Sequence, residues 1–585
     1  MSDPLPPDGW TPRPARQAAD EALTRLAADD HGEAWTLRLP ADEVRAAADE
    51  IDARLASGEH LPLAGMTVGV KDNIDVAGHP TTAACAAYAD GLVDEDAPAV
   101  ARLRAAGAVV VGKTNLDQFA TGLVGTRSPD FGPVASVVAP DRVGGGSSSG
   151  SAVAVALGLV DVALGTDTAG SGRVPAAFNE VIGLKPTYGL VPKTGVVPAS
   201  PSFDTVSMFA RSVGVAAAAI GAMAGPDPSD PSSRLVPPPP PGPRPGRPER
   251  PWRLGVPDPA ALGMESEATA AFADHVSAVA ARLGPLADVV TVDVGLIEEA
   301  GGLLYGDALL AERYASVGAF LDAHPDQVDP TVAAVVGAAR DVPAHRYAAA
   351  WQHLLDLRRE ARDRYDDLDA VVLPTTPGHP TLAEVAADPI GVNRALGRFT
   401  NGCNLLDRCA AALPGPRTPS GACTGVMLYG AAFTDDTIAA LAAAAMGEAP
   451  PPPILPTPDD LPVVVVGLHL SGQPLNGQLV ERGGRLVAAT TTAPRYRLFA
   501  LPTQPAKPGL VRDEQGGAAI EVEVWRLPAA GFGTFVDGVP LPLAIGRVEL
   551  ADGTWAAGFL ALPDGLAGAR DITDAGGWRA HLARR

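Results

Sequence analysis

The chain has 585 residues, 46% of them hydrophobic and 19% charged, enough apolar material for a core larger than one ordinary domain. Its formal net charge is −23, with acidic residues spread along the whole length, which disfavours nucleic acid and anionic membrane surfaces as partners. Four cysteines, Cys85, Cys403, Cys409 and Cys423, are too few and too irregular for a disulfide framework or a zinc site, so they read as reduced thiols.

The N-terminal MSDPLPPDGWTPRP lacks the basic region and apolar run of a secretory signal, and no 18-residue uncharged apolar stretch suggests a spanning helix. A cytoplasmic location is expected. In MTVGVKDNIDVAG the alternating Met66, Val68 and Val70 predict a strand that delivers Lys71 to a polar turn. AVVVGKTN from Ala108 predicts a second strand feeding a loop. Two serine-bearing, glycine-rich segments follow, GGGSSSGSAVAVA from Gly144 and GTDTAGSGRVPA from Gly165. Each offers the backbone N–H groups and hydroxyls that an oxyanion-stabilising acyl-transfer site needs, but neither contains the histidine that ordinarily activates a serine. Lys71 is then the candidate base. Taken singly, a buried lysine is more often a paired core residue, and serines among glycines are more often turn formers. SAVAVALG, after the first serine loop, predicts a closely packed helix whose N-terminus can aim N–H groups at an anion.

Beyond these loops, VPPPPPGPRPGRPERP from Val236 is held extended by its prolines. It reads as a surface excursion over 236–251, with an SH3-type docking segment as the alternative. Amphipathic EATAAFADHVSAVAARL predicts a sheet-covering helix, and LLYGDALLAERYASV from Leu303 predicts a helix with Tyr305 and Arg313 on one stripe. DAVVLPTTP at Asp369 predicts another strand. The tract APPPPILPTPDDLP from Ala449 marks a boundary. Upstream lie Ala-rich helices such as TDDTIAALAAAAM; downstream lie β-rich runs, VVVVGLHL, GRLVAATTTAP, AIEVEVWRL and WAAGFLAL. The expected division is 1–448, a linker at 449–461, and 462–585.

With GKTNLDQFATGLVGTRSP and VIGLKPTYGLVPKTGVVPASPSFDTVS beside the three segments above, the chain from about Leu63 through Val213 resembles the amidase signature family. The resemblance implies an α/β fold with a mixed central sheet flanked by helices. It also implies Lys71 as base, Ser147 as a bridging serine preceded by a cis peptide, and Ser171 as nucleophile. Burial without a paired carboxylate lowers a lysine's pKa enough for it to act as a base. The N–H groups around Thr168, Ala169, Gly170 and Ser171 are the expected oxyanion donors, with Asp167 and Arg173 as a supporting ion pair.

One departure narrows the branch. Many such amidases carry two glycines before the nucleophile, whereas DTAGSGRVPA has Ala169 in place of the first and Gly172 after the serine. That version, with QFATGLVGTRSP and LLYGDALLAERYASV, resembles the allophanate hydrolases. Allophanate carries a carboxylate, which a guanidinium holds bidentately. Arg313, with Tyr305, is the expected clamp; a solvent-facing arginine paired with Glu312 or Asp307 is the alternative. SPDFG at Ser128 and Cys403 depart from the family pattern and bear on loop geometry.

LPVVVVGLHLSGQPLNGQLVERGG resembles the start of the extra C-terminal domain of long allophanate hydrolases, a small α+β unit akin to γ-glutamyl cyclotransferases. That family associates it with decarboxylating N-carboxycarbamate. His469 is then a candidate proton donor, or else a strand-end histidine satisfied by backbone. The expected function is allophanate hydrolysis through Lys71, Ser147 and Ser171, with no metal or cofactor. The alternatives are an amidase for a malonamate- or biuret-like compound, or an ammonia-supplying amidotransferase subunit. The expected partners are a small-molecule substrate, a functional link to urea carboxylase, and a second copy as homodimer.

Overall fold

The computed structural model describes residues 9–236, 250–306, 308–456, 460–482 and 484–584. All but the ends of the excursion at 236–251 lies outside them. The chain divides into two compact units, Met1–Pro456 and Thr457–Arg585, each described by itself.

The first unit is built on a mixed sheet that, among the described residues, has eleven strands. From edge to edge these are Trp35–Arg38, Val109–Thr114, Thr67–Lys71, Val162–Asp167, Thr205–Ala210, Ile182–Lys185, Arg408–Pro414, Gly425–Ala431, Ala370–Pro374, Trp252–Val256 and Ala287–Thr291. Three neighbours, Val109–Thr114, Thr67–Lys71 and Val162–Asp167, run parallel. Every residue of these three is buried, so Met66, Val68 and Val70 do not alternate with a solvent face. Parallel strands covered on both faces behave this way. Beyond the proline-rich excursion the strand Trp252–Val256 returns to the same sheet beside Ala370–Pro374.

Helices cover the sheet. Val213–Met223, VGVAAAAIGAM, is apolar all round, and eight of its eleven residues are buried, as expected where helix packs on both sheet and helix. Ser212 caps its start, its hydroxyl accepting from the Val215 N–H at 3.3 Å. Among the described residues, no helix is long and apolar enough to cross a membrane.

The second unit has a five-stranded sheet in the order Arg485–Thr491, Glu521–Leu527, Leu461–Val465, Trp555–Ala561, Leu543–Glu549, and a three-stranded sheet of Lys507–Arg512, Tyr496–Leu501 and Arg570–Asp571. Its core gathers Val463, Leu498, Leu527 and Phe559 around Trp578. Helices Gly477–Val480, Ala529–Asp537 and Trp578–Ala583 accompany the sheets.

Candidate active site

Because Thr67–Lys71 and Val162–Asp167 are parallel neighbours, their last residues emerge at the same edge of the sheet, where α/β proteins assemble their sites. Lys71 is fully buried. Its Nζ lies 2.7 Å from Ser147 Oγ and 2.8 Å from Thr166 Oγ1. Asn73 Nδ2 also donates to Thr166 Oγ1, at 3.2 Å. Lys71 has no ion-pair partner among the described residues. Burial drives its pKa from 10.5 down to about 7, although the carboxylates of Asp117, Asp167 and Asp204 work in the opposite direction.

Ser147 follows a cis peptide bond from Gly146 and stands two residues before the helix Ser149–Ala156, with Ser148 between them. The Asp117 N–H donates to its carbonyl at 3.1 Å. The Asp117 carboxylate accepts from the N–H groups of Val124, Gly125 and Arg127, so one residue ties a second loop to the serine loop. His379 fixes the approach to this loop. The Cys423 N–H donates to its Nδ1 at 3.1 Å, leaving Nε2 to donate to the Val143 carbonyl at 2.8 Å. Burial lowers the His379 pKa to about 4, and its ring stacks on Phe178 at 3.9 Å.

Ser171 lies between the members of a buried ion pair. Arg173 Nε and Nη2 donate to the two Asp167 oxygens, both at 2.9 Å, while those oxygens also accept from the Gly170 and Gly172 N–H groups. Burial acts to raise the Asp167 carboxyl, but Arg173 holds it below the ordinary range. Arg173 reaches on to the Thr400 carbonyl and Asn404 Oδ1. Thr400 Oγ1 donates back to the Ala169 carbonyl at 2.7 Å, and Asn404 Nδ2 to the Asp167 carbonyl at 2.7 Å. Thr168 Oγ1 donates to Asp204 at 2.5 Å.

This corrects one expected oxyanion donor. Gly170 directs its N–H to Asp167, whereas the N–H groups of Thr168, Ala169 and Ser171 donate to nothing among the described residues. Gly170 serves the loop by shape instead. Its φ is +130°, and a Cβ there would stand 2.4 Å from Thr400 Oγ1.

The helix expected to carry both Tyr305 and Arg313 is broken. Gly295–Gly306 ends just after Tyr305, a short 3₁₀ turn spans Ala308–Leu310, and Arg313 sits in Ala311–Ala323. Asp307, the position between the helix and the turn, lies outside the described residues. The break still brings the pair together, with Arg313 Nη2 donating to the Tyr305 hydroxyl at 2.9 Å. Arg313 Nη1 donates to Thr121 Oγ1 at 3.0 Å and the Ala120 carbonyl at 3.3 Å. At 1% exposure Arg313 does not face solvent, and it pairs with no carboxylate among the described residues. Glu312 turns instead to the Ser202 N–H and the Tyr347 hydroxyl.

In the second unit, His469 lies just beyond the strand Leu461–Val465. Its ring stacks on Phe559 at 5.2 Å and meets Phe535 edge-on at 5.1 Å. Nε2 lies 3.1 Å from Gln478 Oε1. Burial lowers the His469 pKa, opposed by Gln478 and aided by Lys507 and Arg482.

The sequence reading missed Thr166, Asp117, Asp204, Thr400 and Asn404. The first three lie inside the segments quoted for the resemblance; Thr400 and Asn404 stand more than 220 residues from the loop they brace and had no local signal.

An Amidase family profile matches residues 20–439, and one described as the allophanate hydrolase C-terminal domain matches 461–583. Kluyveromyces lactis allophanate hydrolase is similar in structure, with a TM-score of 0.69 at 35% identity over 97% of this chain and 96% of that one. The urea amidolyase of Saccharomyces cerevisiae is 39% identical over 554 residues, 90% of this chain. The chain spans 30% of that relative's length. One subunit of the glutamyl-tRNA(Gln) amidotransferase of Synechococcus sp. (strain RCC307) is 42% identical over 38% of this chain and 46% of its own length.

Proposed function

The chain belongs to the amidase family, with the allophanate hydrolase C-terminal domain added, and from that membership we propose that it hydrolyses allophanate through Ser171, Ser147 and Lys71. The observation that carries this reading is the buried Lys71 amine, without a carboxylate partner among the described residues, 2.7 Å from Ser147. Thr166 Oγ1 accepts from both Asn73 and Lys71, so the lone pair of a neutral Lys71 is left for the Ser147 hydroxyl. Ser147 in turn takes the proton of Ser171, whose Oγ attacks the terminal amide carbonyl. The N–H groups of Thr168, Ala169 and Ser171 hold the oxyanion. Collapse expels ammonia, which receives the proton back through Ser147, and water then resolves the acyl-enzyme to N-carboxycarbamate. Arg313 holds the substrate carboxylate, because its guanidinium is buried and, among the described residues, bonded only to neutral oxygens.

A base that works only when neutral sets the pH dependence. Since burial brings Lys71 to about 7, kcat/KM for allophanate should fall about tenfold per pH unit below that value and level off above it. A profile flat from about pH 5.5 to 8.5 would contradict a lysine base.

We assign the second reaction, decarboxylation of N-carboxycarbamate, to the second unit with His469 as proton donor. A chain ending near residue 457 should stay soluble and release the first ammonia, because the proposed triad and clamp lie upstream of it. Both that chain and full-length His469→Ala should release carbon dioxide late relative to the first ammonia. Stopped-flow carbon dioxide detection at mildly alkaline pH reads the lag; a lag equal to that of the intact enzyme in both would make the unit structural. On the same reading the enzyme works as a homodimer beside a urea carboxylase, since allophanate is urea bearing one added carboxylate.

A further inference from the structure

His469 opens onto a cavity of about 210 Å³ within the second unit, and Lys507 lines the same cavity. The rest of the wall is mostly apolar, including Phe535, Val539, Leu543 and Phe559. Gln478 engages His469 Nε2; among the described residues His469 Nδ1 has no hydrogen-bond partner, and the Lys507 ammonium has neither a hydrogen bond nor an ion pair. The fold brings these two groups together by a close approach. A Cβ at Gly467 would stand 2.1 Å from the ring of Pro508, so only glycine lets the chain before His469 lie against the residue that follows Lys507.

A lysine lining an apolar cavity without a counter-charge is suited to an anion. We propose that Lys507 is the anion-binding residue of this cavity, pairing with one carboxylate of a small geminal dicarboxylate while the other lies against the aromatic and aliphatic wall and departs as carbon dioxide. This rests on the decarboxylation assigned to the second unit. In the step, the bond between nitrogen and the departing carboxyl carbon breaks and its electron pair goes to nitrogen. Nitrogen takes a proton from protonated His469 Nδ1, which regains one from solvent, and the dianion becomes carbamate and carbon dioxide. The division of the cavity fits the charge movement. Loss of carbon dioxide disperses the charge of the departing carboxylate, so apolar surroundings disfavour the starting state most, whereas a cation on that same group would hold it back. Lys507 therefore belongs to the carboxylate that stays.

The test uses full-length enzyme with allophanate and reads the lag between the first ammonia and carbon dioxide, with malonate as a stable dicarboxylate probe. Malonate should lengthen the lag in the wild type, and acetate at equal ionic strength should not. Lys507→Gln should lengthen the lag about ten- to a hundredfold, as when a hydrogen bond to a charged group is lost, and should make it insensitive to malonate. Lys507→Arg should recover part of both effects, which a purely structural role would not produce. If malonate leaves the wild-type lag unchanged, or Lys507→Gln keeps the wild-type lag while His469→Ala lengthens it, Lys507 is not the anion site and His469 keeps its role. If both variants keep the wild-type lag, the decarboxylation reading itself fails.

Discussion

Ser171→Ala is expected to abolish ammonia release from allophanate, a loss of about 10⁴–10⁶-fold in kcat, with no loss of fold. The Ser171 hydroxyl makes no hydrogen bond to the described residues, and the loop around it is held by others. Asp167, Arg173, Thr400 and Asn404 remain in place. Ser147→Ala and Lys71→Ala should lose nearly as much, because a proton relay acts as one unit and its parts do not add. The check is kcat in all three variants beside their thermal unfolding curves. More than about a tenth of wild-type activity in either serine variant would remove that serine from the relay. Lys71→Ala also opens a buried space beside Thr166, so Lys71→Met, which fills that space without an amine, separates lost chemistry from lost packing.

Arg313→Lys should raise KM for allophanate by about ten- to a hundredfold, which corresponds to about 1.5–3 kcal/mol for a charged hydrogen bond. The guanidinium is braced on one side by Thr121 and Ala120 and on the other by Tyr305. An ammonium cannot span those supports and also present a fork to a carboxylate. Tyr305→Phe, which removes one brace and leaves the charge, should act in the same direction by less. An unchanged KM in Arg313→Lys would make Arg313 a strut for the loop at Ala120 and Thr121.

These two predictions draw on different parts of the sequence signal. The strand that delivers Lys71 and the two glycine-rich serine segments are legible from local residue types, whereas the choice of Ser147 and Ser171 within those segments comes with the family resemblance. The strands at 67–71, 109–114 and 370–374 follow from the same local patterns. The break between Tyr305 and Arg313 was not legible, since the segment keeps a helical period through Gly306 and only the fold reveals that two helices bring the pair together. Gly170 was misplaced for a related reason. A glycine before a nucleophile reads as an oxyanion donor, but its N–H belongs to Asp167 once Arg173 fixes that carboxylate in space. Braces such as Thr400 and Asn404 come from distant sequence, and hydrogen bonds between distant segments leave no periodic trace. In the second unit four strands are legible in the sequence, while Tyr496–Leu501, Lys507–Arg512, Leu543–Glu549 and the two-residue Arg570–Asp571 are not. Lys507, in the second of these, went unread with its strand.

The measurement that bears most directly on the proposed function is the rate of ammonia release from allophanate, biuret, malonamate and glutamine at equal concentration, with Ser171→Ala as the blank. A site with one buried guanidinium clamp beside an amine-activated serine pair predicts the highest kcat/KM for allophanate, with every activity lost in the blank. Faster release from glutamine would contradict it and make the chain an ammonia-supplying amidotransferase subunit.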